Sequence, residues 1–533
     1  MDTKQLTPQF DDSTFEPQTL INHINDLIST GDPIPHDRVL KELIETIEVL
    51  DFKALAFPEI TTLRKQQSEL SVKLTNSDGS PNISPGLEKE REQFNAISKV
   101  IEKAKTKDKH FLILCIENLR ALAVYNKWGL CKNNDFIYLF NGAFWKNIEN
   151  EEFQKFLGEA AEKMGVAKFE ARFYQFRERL LKQFLSTEYL PTPIPPNDAV
   201  FVNLQNGTFE ITANKPVLRA FNSLDFITYQ LPFEYNPEAT APMFKAYLDK
   251  VLPDIERQNI IQEYLGYIFI QPSTLKLEKT LLLYGSGANG KSVFFEIVNA
   301  LLGSDNVSSY SLQSLTNESG YFRAKLANKL VNYASEINGN LETSIFKQLV
   351  SGEPVEARLP YGQPFVLTKY AKLIFNCNEL PKDVEHTNAY FRRLIIVPFD
   401  VTIPEAEQDK QLPQKIIKSE LAGVFNWALE GLNRLLEKKS FTDCKATQMA
   451  RELYEKQSNT VRLFIDECGY EKCTHAHNLI KYLYNEYRTF CLEDGHKPVN
   501  KTNFIKRLNS FDVIIEKKNI GNVAFMAKQN DSF

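Results

Sequence analysis

The chain has 533 residues, too many for one ordinary core, so roughly two to four domains are expected. Its 43% hydrophobic and 25% charged content is that of a soluble globular protein, and no apolar run is long enough to span a membrane. A formal charge of −5 excludes a basic coat but not a local basic groove or channel lining; seven scattered cysteines form no disulfide framework, and the acidic start MDTKQLTPQFDDSTFEPQ lacks signal-peptide order, so a reducing cytoplasm is expected.

Taken in chain order, residues 1–110 read as a helical region, a collar or a docking element for a partner. Residues 39–50 (VLKELIETIEVL) and the stretch from Leu87 place apolar side chains three and four apart, with charge between. The run NSDGSPNISPG, 76–86, reads as an exposed turn, and a helical hairpin is the simplest arrangement. Residues 111–270 read as an α+β region. It opens with strand-like FIYLFNGAFWKNI, passes through a Pro-rich run at 191–196, and continues with AVFVNLQNGTFEI, where Asn206-Gly207 is expected to make a hairpin turn. Residues 241–270 look helical.

Residues 271–405 alternate apolar strands with polar helical runs, as a parallel α/β sheet requires. The strands are TLLLY (280–284), KLVNYA (329–334), KLIFNC (372–377) and LIIVPF (394–399). A helical connector, 406–458, and a small mixed unit, 459–533, complete the chain. The expected fold class is multidomain α+β and α/β, and no internal repeat is visible.

The chemistry centres on GSGANGKS, which fits G-x-x-x-x-G-K-[ST] with Gly285, Ser286, Gly287, Ala288, Asn289, Gly290, Lys291 and Ser292. Glycines let backbone N–H groups curl around phosphate oxygens, and the helix that follows turns its positive end to the same anion. Lys291 would reach the β- and γ-phosphates of ATP, and the Ser292 hydroxyl would ligate Mg²⁺. An apolar strand before the loop and an amphipathic helix after it fit a nucleotide site.

Three later elements separate an ATPase from other phosphate-loop proteins. KLVNYASEIN ends a strand near Glu336, whose carboxylate can polarise a water beside Mg²⁺; Ser335 stands where a metal-side Asp is usual, so the metal falls to Ser292, Glu336 and bridging waters. KLIFNCNELP ends at Asn378, a neutral amide able to bond the γ-phosphate, with Asn376 two residues earlier either sharing that work or packing. AYFRRLIIVPF places Arg392 and Arg393 before a strand, where an arginine supplied by a neighbouring subunit would stabilise charge on the transferred phosphoryl group.

With this order of features, the sequence resembles the superfamily 3 helicases, closest to the helicase half of phage, plasmid and poxvirus-type primase-helicases. NLQNGTFEI, LPFEYNPEATAPMF, IIQEYLGYIF, GANGKS, the block from ASEING through KQLVSGEPVEARLPYGQPF, and AYFRRLIIVPF carry the resemblance, strongly over residues 203–400. It implies an AAA+-like core assembling into a ring, usually a hexamer, with ATP at subunit interfaces. It also implies Glu336 as catalytic carboxylate, Asn378 as sensor and Arg393 as arginine finger with Arg392 beside it. EARLPYGQPFVL, within the family's DNA-contacting segment, reads independently as a β-hairpin; Arg358 and Lys369 would meet phosphates and Tyr361 would stack on a base, unless the hairpin is an ordinary sheet edge. Lys347 opens this block with no role fixed.

The carboxy-terminal pattern of helices followed by two short strands suggests a winged helix, with Lys501, Lys506 and Arg507 on a candidate recognition helix. Cys468, Cys473, His475 and His477 match no zinc spacing that can be justified. No acidic metal triad or zinc set for a primase is found, so primase activity is not expected and a separate primase or polymerase is a candidate partner. The expected function is an ATP-dependent helicase translocating as a ring on single-stranded or forked DNA, in a host cytoplasm, during replication of a phage, plasmid or virus. The alternatives are a nucleotide-switched initiator or scaffold that does not unwind, and a viral packaging motor.

Overall fold

The computed structural model describes residues 33–133, 136–187, 199–212, 216–335, 337, 341–360, 362–381, 384 and 386–528. The Pro-rich run at 191–196, Glu336 and Tyr361 lie outside the described residues. The fold is mixed α/β. It divides into two compact units, Met1–Pro195 with Arg219–Thr228, and Pro196–Leu218 with Tyr229–Phe533.

The first unit is built on helices α1 (His36–Thr46), α2 (Phe52–Ala56), α3 (Glu59–Lys73), α4 (Glu88–Lys103) and α5 (Asp108–Tyr125). An antiparallel sheet follows, β1 (Gly129–Asn133), β2 (Phe136–Phe140) and β3 (Trp145–Ile148), and then α6 (Asn150–Lys163), α7 (Lys168–Arg172) and α8 (Tyr174–Thr187). The helical hairpin around residues 76–86 is present, but its arms are α3 and α4. Helix α1 instead buries Val39 and Leu43 in the main core with residues of α5, α6 and α8, because its apolar face is fully covered there. Residues 219–228 complete this unit. The Trp145 indole N–H donates to the Ser223 carbonyl at 2.8 Å, and the Phe226 ring stands against Tyr138 and Trp145.

The expected single region 111–270 is therefore split, since its apolar residues enter two separate cores. In the second unit, β4 (Val200–Leu204) and β5 (Gly207–Ile211) form the expected hairpin, shifted by one residue. Leu204 pairs with Gly207, so the turn is Gln205-Asn206, and Gly207, at φ 147°, opens the second strand. Helices α9 (Pro242–Val251) and α10 (Ile255–Tyr267) follow, broken by Pro253.

The centre of this unit is a five-stranded sheet of β6 (Thr280–Tyr284), β7 (Val307–Ser308), β8 (Val331–Ala334), β11 (Lys372–Cys377) and β12 (Leu394–Pro398). The spatial order is β12-β6-β11-β8-β7, and every pairing is parallel. Such strands must be apolar on both faces. Leu281 and Leu283 of β6 enter one core and Leu282 the other; Ile395 and Val397 of β12 part from Leu394 and Ile396 in the same way. Helices α10, α11 (Lys291–Leu302) and α17 (Leu421–Lys438) cover the first face. Helices α12 (Leu312–Thr316) and α14 (Thr343–Ser351) cover the second.

Helices α10 and α17 touch through glycine. A Cβ on Gly431 would stand 2.6 Å from the Glu263 nitrogen, and one on Gly266 would stand 2.6 Å from Leu432 Cβ. Beside them Glu263, fully buried, accepts from Arg434 Nε at 2.6 Å, Thr442 Oγ1 at 2.6 Å and the Thr442 N–H at 2.8 Å. Gly431→Ala forces rigid backbone apart and should cost about 1–3 kcal/mol, read as a lowered urea midpoint. An unchanged midpoint would show that the helices have slack there.

Two further strands, β9 (Val355–Arg358) and β10 (Pro364–Leu367), make an antiparallel hairpin. The sequence between β12 and α17 includes α16 (Leu412–Ser419), and α18 (Lys445–Gln457) lies against β12. The carboxy-terminal part packs α19 (Thr460–Glu467), α20 (Ile480–Glu493) and α21 (Lys501–Ser510) with short antiparallel strands around Phe464, Tyr487 and Phe504. Among the described residues no helix is long and apolar enough to cross a membrane.

Candidate nucleotide and strand-binding site

Ligands of open parallel sheets sit outside the carboxyl ends of the strands. There β6 runs into the glycine loop, and α11 starts at Lys291. Gly287 (φ 112°), Ala288 (φ 48°) and Gly290 (φ 86°) all take the left-handed region that glycine permits at least cost. Gly285 has a different reason: a Cβ there would stand 2.6 Å from the Phe399 carbonyl. Its N–H donates to the Cys377 carbonyl at 3.1 Å, which fixes the loop against the end of β11.

The loop is braced from outside. Asn289, buried, donates to the Phe399 carbonyl at 3.2 Å, and the Ile403 N–H donates to the Ala288 carbonyl at 2.8 Å. The buried Tyr247 hydroxyl donates to the Gly290 carbonyl at 2.8 Å. Tyr247 lies 43 residues upstream of Gly290, with no local pattern in the sequence to mark it. The Lys291 ammonium is buried, donating to the Gly285 carbonyl at 2.6 Å and to Asn289 Oδ1 at 3.0 Å. Burial pushes its pKa below the usual lysine range. A desolvated ammonium held only by neutral acceptors gains most from an anion, so the cradle fits a phosphate. Ser292, one residue on, is exposed beside it.

Asn378 is exposed and directly follows Cys377, so it stands at the same end of the sheet as Gly285. Ser335 is exposed at the end of β8. Asn376 is buried, and its Oδ1 accepts from the Tyr333 hydroxyl at 2.9 Å. Of the two readings of Asn376, this geometry favours packing. Tyr333→Phe would strand a buried carbonyl oxygen and should cost about 1–3 kcal/mol of stability, with turnover retained while the protein stays folded. A loss of turnover at unchanged stability would return Asn376 to the chemistry.

Arg392 and Arg393 stand at the opposite end of the sheet. The Thr280 N–H, at the start of β6, donates to the Arg393 carbonyl at 2.9 Å. Five residues of parallel strand, about 17 Å, separate that point from the glycine loop, so neither arginine reaches the loop of the same chain. The two differ sharply. Only 9% of the Arg393 side chain is exposed; it donates to Ser351 Oγ at 2.8 and 3.2 Å and to the Ala389 carbonyl, and pairs with Glu278 at 3.2 Å. The Arg392 side chain is 57% exposed and pairs with Glu278 alone, at 3.2 Å.

In the β9–β10 hairpin, Arg358 is exposed, with Nε donating to the Gly362 carbonyl at 2.9 Å; Lys369, just beyond β10, is exposed as a residue, although burial pushes its ammonium pKa down. The hairpin leans on the short helix α13 (Tyr321–Ala324). There the buried Arg323 donates to the Glu356 carbonyl at 2.7 Å, while Tyr321 and Phe322 are exposed. In the sequence this aromatic pair is marked only by two rings beside a cation in YFRAK. Far along the chain, Lys501 and Lys506 are exposed on α21, whereas Arg507 is half-buried and donates to Asn459 Oδ1 at 3.4 Å. Its half-burial and its bond to Asn459 mark Arg507 as a packing contact more than a free cation, and burial lowers its pKa.

Two family profiles match the chain: D5 N terminal like over residues 119–253, and a family of unknown function, DUF5906, over residues 283–393. A protein of Acanthamoeba polyphaga mimivirus, named only provisionally as helicase L207/L206, is 25% identical over 238 residues. The match covers 42% of this chain and spans 24% of that protein's length. Among solved structures, the A-form apo C-terminal region of NrS-1 aligns at 13% identity and a TM-score of 0.42, over 79% of this chain and 99% of that one. A second apo structure of that region, residues 305–718, aligns at 12% identity and a TM-score of 0.41, with the same coverage. The similarity thus reaches two profile-matched stretches of this chain and about a quarter of the length of a mimivirus protein named for helicase activity.

Proposed function

We propose that this chain is an AAA+-like ATPase of the superfamily 3 helicase type, coupling ATP hydrolysis to movement along single-stranded DNA as a ring, with a hexamer as the expected assembly. The carrying observation is the braced glycine loop at the carboxyl end of β6, with the desolvated Lys291 ammonium at its base. Backbone N–H groups of Gly285 to Ser292 and the Lys291 ammonium would hold the phosphates of ATP, and the Ser292 hydroxyl and Glu336 would hold Mg²⁺. When bound, that metal would neutralise charge on the phosphates. Glu336 would orient and deprotonate the attacking water, and Asn378 would bond the γ-phosphate. A neighbouring subunit would contribute Arg392, since its guanidinium is the exposed one of the pair; Arg393 acts as the brace beneath it.

The strand-contacting surface would be the hairpin, with Arg358 and Lys369 on phosphates and Tyr361 on a base, extended by the exposed rings of Tyr321 and Phe322. The carboxy-terminal helices would act as a winged helix through Lys501 and Lys506, leaving Arg507 to hold the fold. A separate primase or polymerase is the expected partner, and the host cytoplasm the expected place. Turnover of ATP with and without single-stranded DNA, followed by displacement of a labelled strand, tests the reading. DNA-stimulated turnover with displacement is the expected result. Turnover and binding without displacement would overturn unwinding in favour of an initiator or scaffold, and stimulation by duplex DNA alone would overturn it in favour of a packaging motor.

A further inference from the structure

At the end of the sheet away from the glycine loop, a cavity of about 240 Å³ opens between β12, the start of α18 and the residue preceding β6. Its polar lining includes Lys279, Asp443, Thr447, Gln448 and Arg451, and its apolar lining includes Ile260 and Phe441. Thr447 and Arg451 lie one helical turn apart on α18, so both present to the same opening. The charged groups of the lining itself are two cations and one anion, with Asp254 and Glu256 lying behind the lining residue Cys444. Glu278 is already shared by Arg392 and Arg393 at 3.2 Å each and by Lys276 at 3.4 Å. That leaves Asp443 as the one carboxylate lining the cavity against two cations. Lys279 spends a hydrogen bond on the Arg392 carbonyl, while the Arg451 guanidinium has no hydrogen bond or ion pair among the described residues. Burial, with Arg451 and Arg392 nearby, pushes the Lys279 pKa down.

Pockets for drug-sized ligands usually measure about 300–1,000 Å³, so this one is small for a second nucleotide. We propose that the cavity binds a small organic anion, its phosphate or carboxylate head between Lys279 and Arg451 and a short apolar body against Phe441 and Ile260. An anionic head there gives the Arg451 guanidinium a partner and lies against Lys279, and the apolar wall selects against a bare inorganic ion. The site is distinct from the glycine loop and stands on its own geometry.

The test is a titration of the full chain with phenyl phosphate, benzoate and inorganic phosphate, followed by calorimetry and ligand-observed NMR. Phenyl phosphate or benzoate should bind more tightly than inorganic phosphate, and the tighter of the two identifies the preferred head. Arg451→Gln and Lys279→Gln should each weaken that binding by about tenfold or more at unchanged melting temperature. Lys291→Ala should leave it intact, which separates this cavity from the nucleotide loop. Gln448→Glu, at an exposed helix position, adds a like charge without touching the core and should weaken binding even if a Lys279 variant folds poorly. Absence of binding, affinity unchanged in Arg451→Gln and Gln448→Glu, or loss in Lys291→Ala would overturn the proposal.

Discussion

Lys291→Ala is expected to lower ATP turnover by about 10²–10³-fold or more, the loss seen when one preorganised donor leaves a charged transition state. The effect should be large here because the ammonium has two tasks. It would meet the phosphates, and it already ties the Gly285 carbonyl to Asn289 Oδ1 across the loop. Alanine removes the charge and unties the loop together, so nucleotide affinity should fall along with turnover. Lys291→Arg serves as a control, since it keeps charge but cannot fit the two acceptors of a buried point donor. Steady-state turnover and nucleotide binding measured side by side give the answer. Turnover preserved in Lys291→Ala would remove the glycine loop from the chemistry altogether.

The second large effect separates two adjacent arginines. Arg392→Ala should lower turnover by about 10³-fold, the lower range for an arginine finger, with little change in melting temperature. Arg393→Ala should cost about 2–3 kcal/mol of stability, because its guanidinium is bonded to Ser351, Ala389 and Glu278 inside its own subunit. Mixing provides the decisive measurement. Subunits carrying Lys291→Ala and subunits carrying Arg392→Ala are each inactive alone, yet interfaces that pair an intact loop with an intact arginine should recover part of the activity. If mixing recovers nothing while rings still form, Arg392 does not act across an interface. If Arg393→Ala behaves as Arg392→Ala was expected to, the burial argument fails.

Local patterns in the sequence carry the strands of the central sheet, since apolar runs such as TLLLY and KLIFNC can be satisfied only by burial on both faces. The glycine loop was legible for the same reason: its backbone demands are written in consecutive residues. What stayed hidden depends on distant partners. Arg393, read as a finger in AYFRRLIIVPF, is bonded to Ser351, 42 residues earlier, a contact that no local pattern announces. Tyr247 has no motif, and the 111–270 region looks continuous until its apolar residues are sorted into two cores. The hairpin turn missed by one residue, because Gln205-Asn206 and Asn206-Gly207 are both plausible pairs and only the register of Leu204 with Gly207 decides between them.

The return of residues 219–228 to the first unit has a consequence for synthesis. A nascent chain that has emerged only to residue 195 lacks Ser223, so the Trp145 indole has lost its acceptor and Phe226 is missing from the cluster around Tyr138. A buried donor without a partner costs about 1–3 kcal/mol. The amino-terminal unit therefore closes late in translation, after the β4–β5 hairpin of the second unit has already left the ribosome. Expression fragments cut at the proline run should be less stable than fragments carried through to Thr228.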